Sequence, residues 1–512
     1  MFLYTVNKHS WLHVSVIVAS LTYWYSRHMD VKRRESFTIE QAIVESWTKV
    51  IQAPPSQVRN IVVGFNSNVD VIVSGINLLA SMNVTSTTAK SHATISNADE
   101  LSETFTHYFV EGAPTERFIQ DKKLFDAVLK EAEILPHALH IGGNAALLAT
   151  KMIETEPHLE ITLVGPIGPR AKALLHPSIR TENTARIAKD ELHIIMDYKM
   201  GQIYGEFVAP LSSRFIASHD LFSGSSIVID MFFNTIASIK PDLVVLSGLH
   251  LLGHQTSELF QEKIRMIRRS LVQIPRTTPV HLQLGSIHKP DYVKMLLERL
   301  IPLMDSVGVN EQDLAFLSFV GEGPYAFDNM AIRAGTIHVH KAVEMINWLL
   351  ETFGHERGSK DGKRLTRVHF HSLTYHIIAV RGQDWSNLAA AAAAGARVAV
   401  RQACGSGTLS SHIDTGAVDL RIANNFVLDK ELGRMYKFNA HDPLASWMRN
   451  DIVFVFTPVL VCKYPISTVG VPDAIAGAGL IYSQFYRFGM GAPPSAAHQH
   501  AHAQHEQMNS QL

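Results

Sequence analysis

The stretch "DIVFVFTPVLVCKYPISTVGVPDAIAGAGLIY", residues 451–482, begins as a continuous apolar run and ends as a string of small residues. An aspartate, Asp473, stands where the two meet. A short apolar run of this length reads as a buried strand, and small residues behind a Gly/Pro turn read as a helix start. The local reading is therefore strand, acidic turn, helix. The same unit recurs upstream. "NIVVGFNSNVD" runs into a polar turn, "HIGGNAALLATKMI" is a Gly turn opening a helix, and "EITLVGPIG" ends in glycines. "PDLVVLSGLHLL", a helix at 255–271, "TPVHLQLGS", a helix at 290–300, "SVGVNEQDLAFL", "RVHFHSLTYHIIAV" and the Ala-rich "NLAAAAAAGARVAV" continue the alternation. Repeated strand–helix alternation predicts an α/β fold, with a large, mostly parallel sheet covered by helices on both faces.

One segment breaks the pattern. "DELHIIMDYKMGQIYGEFVAP" alternates apolar and polar residues around a Gly-containing turn, the signal of an antiparallel hairpin, and predicts a smaller β-rich subdomain. "KLFDAVLKEAEIL" reads as an amphipathic helix, and the Ser/Thr/Asn-rich residues 81–105 read as a loop.

Composition narrows the ligand class. The 512 residues are 46% hydrophobic and 18% charged, with formal net charge -1 and 27 histidines. That suits a globular protein with a large core and small ligands, and nothing marks a nucleic-acid surface. The two cysteines, Cys404 and Cys462, fit no zinc spacing. They are either buried thiols or one disulfide, which would imply an oxidising compartment.

Near the start, "WLHVSVIVASLTYWY" is an apolar run short for a spanning helix and suited to a signal-peptide core. It suggests membrane association through residues 1–29, as an uncleaved anchor or a signal peptide, and hence the endoplasmic reticulum or secretory pathway. "NVT" at 83–85 is a glycosylation sequon, relevant only to a lumenal domain. Residues 30–57 read as a helix plus linker, and the His-rich tail, 489–512, as low-complexity and disordered.

In an open parallel sheet, ligands sit beyond the carboxyl ends of the strands. Polar clusters fall at several such ends: Asn66, Asn68 and Asp70; Gly142, Gly143 and Asn144; Ser247, Gly248 and His250; Gln283; Asn310 and Asp313; and Asp473. Each alone could be turn chemistry. Together they suit a polyol and a phosphate.

These motifs, with "GPIGP", "VHLQLGS", "VGVNEQDL", "HFHSLTYH" and "TPVLVCKYPISTVGVPDAI", resemble in order the ADP-dependent glucokinases of the ribokinase-like superfamily, in their eukaryotic type. The resemblance spans about residues 58–486, and the kinase domain is placed at 58–488 with lid elements near 70–135 and 190–222. It implies that glucose is phosphorylated from ADP, with Mg²⁺, by a monomer. Asn68 and Asp70 match residues that hold sugar hydroxyls, and Gly143 and Asn144 match the second sugar-contacting turn. Asp473 matches the catalytic base, and Gly470, Val471 and Ala474 the backbone that holds the phosphoryl group. Arg214 is the candidate for a lid arginine on the nucleotide phosphates, the alternative being a surface arginine.

Three positions depart from the family pattern. Pro472 replaces the second glycine of Gly-x-Gly-Asp and removes a possible N–H donor. Gln283 stands for the glutamate of His-x-Glu, and Asp313 for the glutamate of Asn-x-x-Glu. With Asp473, these two are the candidate magnesium ligands, and both changes weaken a hold on the ion or its water. The competing expectations are an enzyme that turns over and an impaired homologue acting as a sugar or nucleotide sensor or scaffold. An ATP-using sugar kinase of the wider superfamily is a third.

Overall fold

The apolar runs at Asn60–Gly64, Glu160–Val164, Leu243–Leu246, Val280–Gln283, Ser306–Asn310 and Arg367–His371 are mutually parallel strands of a nine-stranded sheet. Three antiparallel strands, Tyr375–Arg381, Ile452–Pro458 and Ala445–Arg449, extend one edge. The computed structural model describes residues 18–24, 38–51, 58–85, 88–181, 184–327, 337–405, 413–466 and 468–486. Most of the apolar N-terminal run, the linker proline pair and the His-rich tail lie outside the described residues. Among the described residues, no helix is long and apolar enough to cross a membrane.

Both faces of the large sheet are covered, because its strands are apolar on both sides. Helices Ser226–Ile239, Ser257–Leu271, Glu311–Val320 and Val339–Phe353 bury Phe232, Ile264, Leu317 and Ile346 against one face. Helices Asn144–Thr155 and Val471–Tyr482 cover the other face, where Leu148 and Leu480 share one core with Ile161 and Val245. Leu388–Ala403, also on that side, packs Ala393 and Ala396 against Ala474 and against Trp47 of helix Ile39–Ile51. Gly477 lies close enough to Met152 that a Cβ there would stand 3.0 Å from its Cγ, so small residues set the spacing of these helices.

A second, six-stranded sheet forms the smaller subdomain. Its order is Thr94–Ile95, Thr115–Ile119, Ser213–Ser218, Leu192–Tyr198, Asn68–Ser74, His137–Gly142. Leu192–Tyr198 and Ser213–Ser218 pair antiparallel, as the hairpin signal predicted, with a short ribbon, Ile203–Tyr204 and Phe207–Val208, between them. The lid elements placed near 70–135 are joined by the strand His137–Gly142, and the first strand begins at Asn68.

Two segments differ from the sequence reading. The stretch 81–105 is not all loop, since a helix runs Ala98–Glu111 with Asn97 accepting from the Glu100 amide. Its Thr104 and Thr106 hydroxyls donate to carbonyls four residues back, and Ser102 donates or accepts at Tyr204 Oη. Hydroxyls satisfied in this way sit in a buried face despite their poor helix propensity. "RVHFHSLTYHIIAV" is two antiparallel strands, turned at Ser372, whose hydroxyl accepts from Thr374 and Tyr375 amides.

Candidate active site

The lid strand Asn68–Ser74 places Asn68 and Asp70 two residues apart, hence on one face, and both are buried. Asn68 Nδ2 donates to Asp70 Oδ1 at 2.7 Å, which leaves Asn68 Oδ1 buried without a partner among the described residues. Such an atom costs free energy unless a ligand or water meets it. The opposing glycines make room. A Cβ on Gly142 would lie 2.0 Å from Asp70 Oδ1, and one on Gly143 would lie 2.8 Å from Asn68 Oδ1. Gly143 also has φ +84°, which favours glycine, as it turns the chain into helix Asn144–Thr155.

Asp473 sits in the first turn of Val471–Tyr482, behind Gly470 at φ +71°. Asn144 Nδ2 donates to Asp473 Oδ1 at 3.2 Å. Burial pushes the Asp473 carboxyl up to about 6, opposed by Asn144 and by the Arg214 guanidinium. Burial likewise raises Asp70 to about 6 against His193 and Asn68. The expectation for Ala474 is corrected: its amide already donates to Gly470 O at 2.9 Å, closing the first helical turn. The amides ahead of that bond are the turn's orphan donors. Pro472 contributes none, and the Asp473 amide is turned onto its own carboxylate, which leaves that of Val471.

The turn is pinned from behind. Gln402 Nε2 donates to Val469 O at 2.6 Å, and the Ile466 amide to Ala403 O at 2.8 Å. Of the two readings for the cysteines, the structure takes the disulfide, Cys404–Cys462, joining these same two segments. From the lid, Arg214 reaches the turn and donates through Nη1 to Thr468 O at 2.8 Å. It is half-buried between the two domains, so the surface-arginine alternative does not hold.

The structure therefore gathers Asn68, Asp70, Gly143, Asn144, Arg214, Gly470, Val471 and Asp473 where lid meets large sheet. Gln283 ends the strand Val280–Gln283, and Asp313 lies in the first turn of the helix Glu311–Val320. Gln283 Oε1 lies over Gly308, where a Cβ would be 2.0 Å away, and Asp313 Oδ1 accepts from the Ile287 amide at 3.4 Å. Gln283 Oε1 and Asp313 Oδ2 are buried and unpartnered among the described residues. Burial raises the Asp313 carboxyl to about 7. Among the described residues, no three His, Cys, Asp or Glu side chains group as metal ligands. Two orphaned oxygens fit a magnesium ion that keeps most of its ligands as water and phosphate, the usual habit of this cation.

The sequence reading missed a buried charged group beside Asp70. His193 pairs in register with Asp70 on the neighbouring strand. Its Nδ1 is 3.6 Å from Glu116 Oε1, and its Nε2 is 3.5 Å from Asp220 Oδ2. Burial opposes the charge on His193, yet Glu116, Asp220 and Asp70 carry the imidazole up to about 9. Glu116 also takes the Ser218 hydroxyl at 2.8 Å and lies 3.0 Å from His250 Nε2. The available signal was a charged pair, Glu116 and Arg117, inside the wholly buried strand Thr115–Ile119.

Residues 59–482 match the conserved region of the ADP-specific phosphofructokinases and glucokinases. The chain is 48% identical over 485 residues to a Caenorhabditis elegans protein named as a probable ADP-dependent glucokinase, covering 94% of this chain and 96% of that one. It is 36% identical over 450 residues to a Bos taurus ADP-dependent glucokinase, covering 87% and 89%. Among solved structures it resembles an ADP-dependent kinase in complex with fructose 6-phosphate and ADPβS, with TM-score 0.60, 16% identity and coverage of 86% and 97%. A Pyrococcus horikoshii phosphofructokinase with AMP matches at TM-score 0.57 and 15% identity, covering 84% and 98%.

Proposed function

The chain belongs to the ADP-specific phosphofructokinase/glucokinase family, and from that premise we propose that it transfers the β-phosphate of ADP to the 6-hydroxyl of D-glucose, giving glucose 6-phosphate and AMP. The observation that carries this reading is the buried Asp473 at a helix N-terminus, tied to Asn144 and facing a lid that supplies Asn68, Asp70 and Arg214.

Asn68 and Asp70 form an amide–carboxylate pair that can donate to one sugar hydroxyl and accept from its neighbour. Glu116 and His193 extend that wall with a second acceptor and a donor. Asp473, ionised above about pH 6, accepts the 6-hydroxyl proton as that oxygen bonds to the β-phosphorus. The bond from the β-phosphorus to its bridging oxygen breaks, and the pair leaves on AMP. The Val471 amide, with the positive end of the helix dipole, and Arg214 oppose the charge on the phosphoryl oxygens in transit. Magnesium, when bound, neutralises phosphate charge; Asp313 would hold it directly and Gln283 through water, with Asp473 near its outer waters.

We also propose a secretory-pathway location. The Cys404–Cys462 disulfide and the apolar N-terminal run support it.

The test is glucose 6-phosphate formation by purified protein from ADP, glucose and Mg²⁺, with ATP as the alternative donor and Asp473→Ala as control. The expected result is turnover with ADP that the control loses. A rate no greater than the control overturns the reading, and a preference for ATP overturns the donor.

A further inference from the structure

We propose that His250 is a positioning residue of the sugar site: from the large domain it holds the lid carboxylate Glu116 in place through a hydrogen bond, so the sugar wall is complete only when the lid strand docks. The inference rests on the glucose reading above.

Thr115–Ile119 is a lid strand, and Leu249–His254 is a tight turn at the end of a central strand of the large sheet. The two meet at two points. His250 Nε2 lies 3.0 Å from Glu116 Oε2, and both side chains are buried. An ionised carboxylate only accepts, so the imidazole donates. Two residues on, Phe118 stacks on His254 at 5.1 Å and 17°, and on His219 of the lid at 5.0 Å and 18°. Alternation along the strand puts Glu116 and Phe118 on one face, which meets His250 and His254 of the turn.

The turn that presents His250 is itself seated. Gly248 has φ +84°, and a Cβ there would lie 2.6 Å from Asn66 Oδ1, the atom that accepts the Ala145 amide at the start of the Asn144 helix. The turn carrying His250 thus packs through Gly248 on Asn66, and the His250 ring reaches the lid. Ser218 and His193 fix the other oxygen of Glu116. Without His250, Oε2 loses its donor and the carboxylate is free to turn from Asp70 and His193.

The test compares His250→Gln, whose amide can place a donor where Nε2 stands, with His250→Asn, which cannot reach. Glucose KM, ADP KM and kcat are measured, and glucose affinity is measured by calorimetry. The expected result is a loss of glucose affinity of about 10- to 100-fold in His250→Asn, the scale of one hydrogen bond to a charged group. ADP KM should stay within about twofold, and His250→Gln should keep near-native affinity. Equal behaviour of the two variants, or a change falling on ADP instead of glucose, overturns the proposal. A wild-type chain that neither binds nor phosphorylates glucose overturns the functional reading itself, and this inference with it.

Discussion

Asn144 Nδ2 meets Asp473 Oδ1 at 3.2 Å, across 329 residues of sequence. The contact joins the starts of two helices that pack side by side on one face of the large sheet. Both helix N-termini favour an anion, whereas burial disfavours one, and burial prevails at Asp473.

Asp473→Asn should therefore separate stability from activity. The amide keeps an oxygen for Asn144 and never has to ionise. A folded-state pKa of about 6 against 3.8 means ionisation opposes folding, by about 3 kcal/mol well above pH 6. The sign follows from the raised value: the acid's contribution is intact below pH 3.8 and is lost as pH rises through 6. Asp473→Asn should raise the denaturation midpoint at pH 7.5, with the gain vanishing toward pH 4, while turnover falls roughly 100-fold or more. Wild-type kcat should decline below about pH 6. Denaturant melts at both pH values and a kcat–pH profile check this; no stability gain at pH 7.5 contradicts it.

Gly142→Ala tests the sugar wall without removing any of its polar groups. The new Cβ would stand 2.0 Å from Asp70 Oδ1 and 2.4 Å from Asn68 Nδ2, so the pair must move. Glucose KM should rise about tenfold or more and ADP KM change little, with a stability cost of about 1–3 kcal/mol from overpacking. Steady-state kinetics in each substrate decide it, and unchanged glucose KM would place the sugar elsewhere.

The strand ends and glycine turns of this site were legible because each is local. Apolar runs broken by Gly and Asn mark strand-to-ligand turns within about ten residues, as "HIGGNAALLA" does. Glu116 and His193 were not legible, and His250 was legible only as a polar strand end, because the His250–Glu116 contact joins the two sheets across 134 residues of separation. A buried ion network leaves no period in the sequence. Ala474 was misassigned for a different reason: its amide is spent inside the helix, which depends on where the first turn closes. The helix at Ala98–Glu111 was hidden by Ser and Thr, whose hydroxyls bond within it instead of breaking it.

Pro472→Gly should restore an amide donor in the first turn of the Asp473 helix. One transition-state donor is typically worth about 100-fold in turnover. Proline at this position also pre-sets the helix backbone, so the glycine variant should be less stable by about 1 kcal/mol. Combining it with Gln283→Glu puts a charge where Gln283 holds a buried, unpartnered oxygen and should lower the Mg²⁺ concentration for half-maximal rate. Kinetics at varied Mg²⁺ read both effects, and no gain in kcat means that the missing amide would not face the phosphate.

Opening the Cys404–Cys462 disulfide should destabilise the chain and loosen the nucleotide side of the site. The cysteines are 58 residues apart, and a loop of that size implies about 4 kcal/mol by loop entropy. The bridge lies beside the Gln402–Val469 and Ile466–Ala403 bonds that pin the Asp473 turn. A Cys404→Ser, Cys462→Ser double variant should show a lower denaturation midpoint and a higher ADP KM, with glucose affinity preserved. An unchanged midpoint with and without reductant would count against the bridge.

Arg214 links the lid to the base in two ways, and its removal should be visible in both. It donates to Thr468 O at 2.8 Å, and its charge lowers the Asp473 pKa. Arg214→Ala should raise ADP KM about tenfold, the scale of one lost hydrogen bond from a charged group. It should also move the acid limb of the kcat–pH profile above 6, because a carboxylate without its cation binds its proton more tightly. Arg214→Lys keeps the charge and loses the planar fork, so the acid limb should stay near 6 while ADP KM still rises. Glucose affinity measured without nucleotide should hardly change in either variant. An acid limb that stays put in Arg214→Ala would mean the guanidinium does not act on Asp473 during turnover.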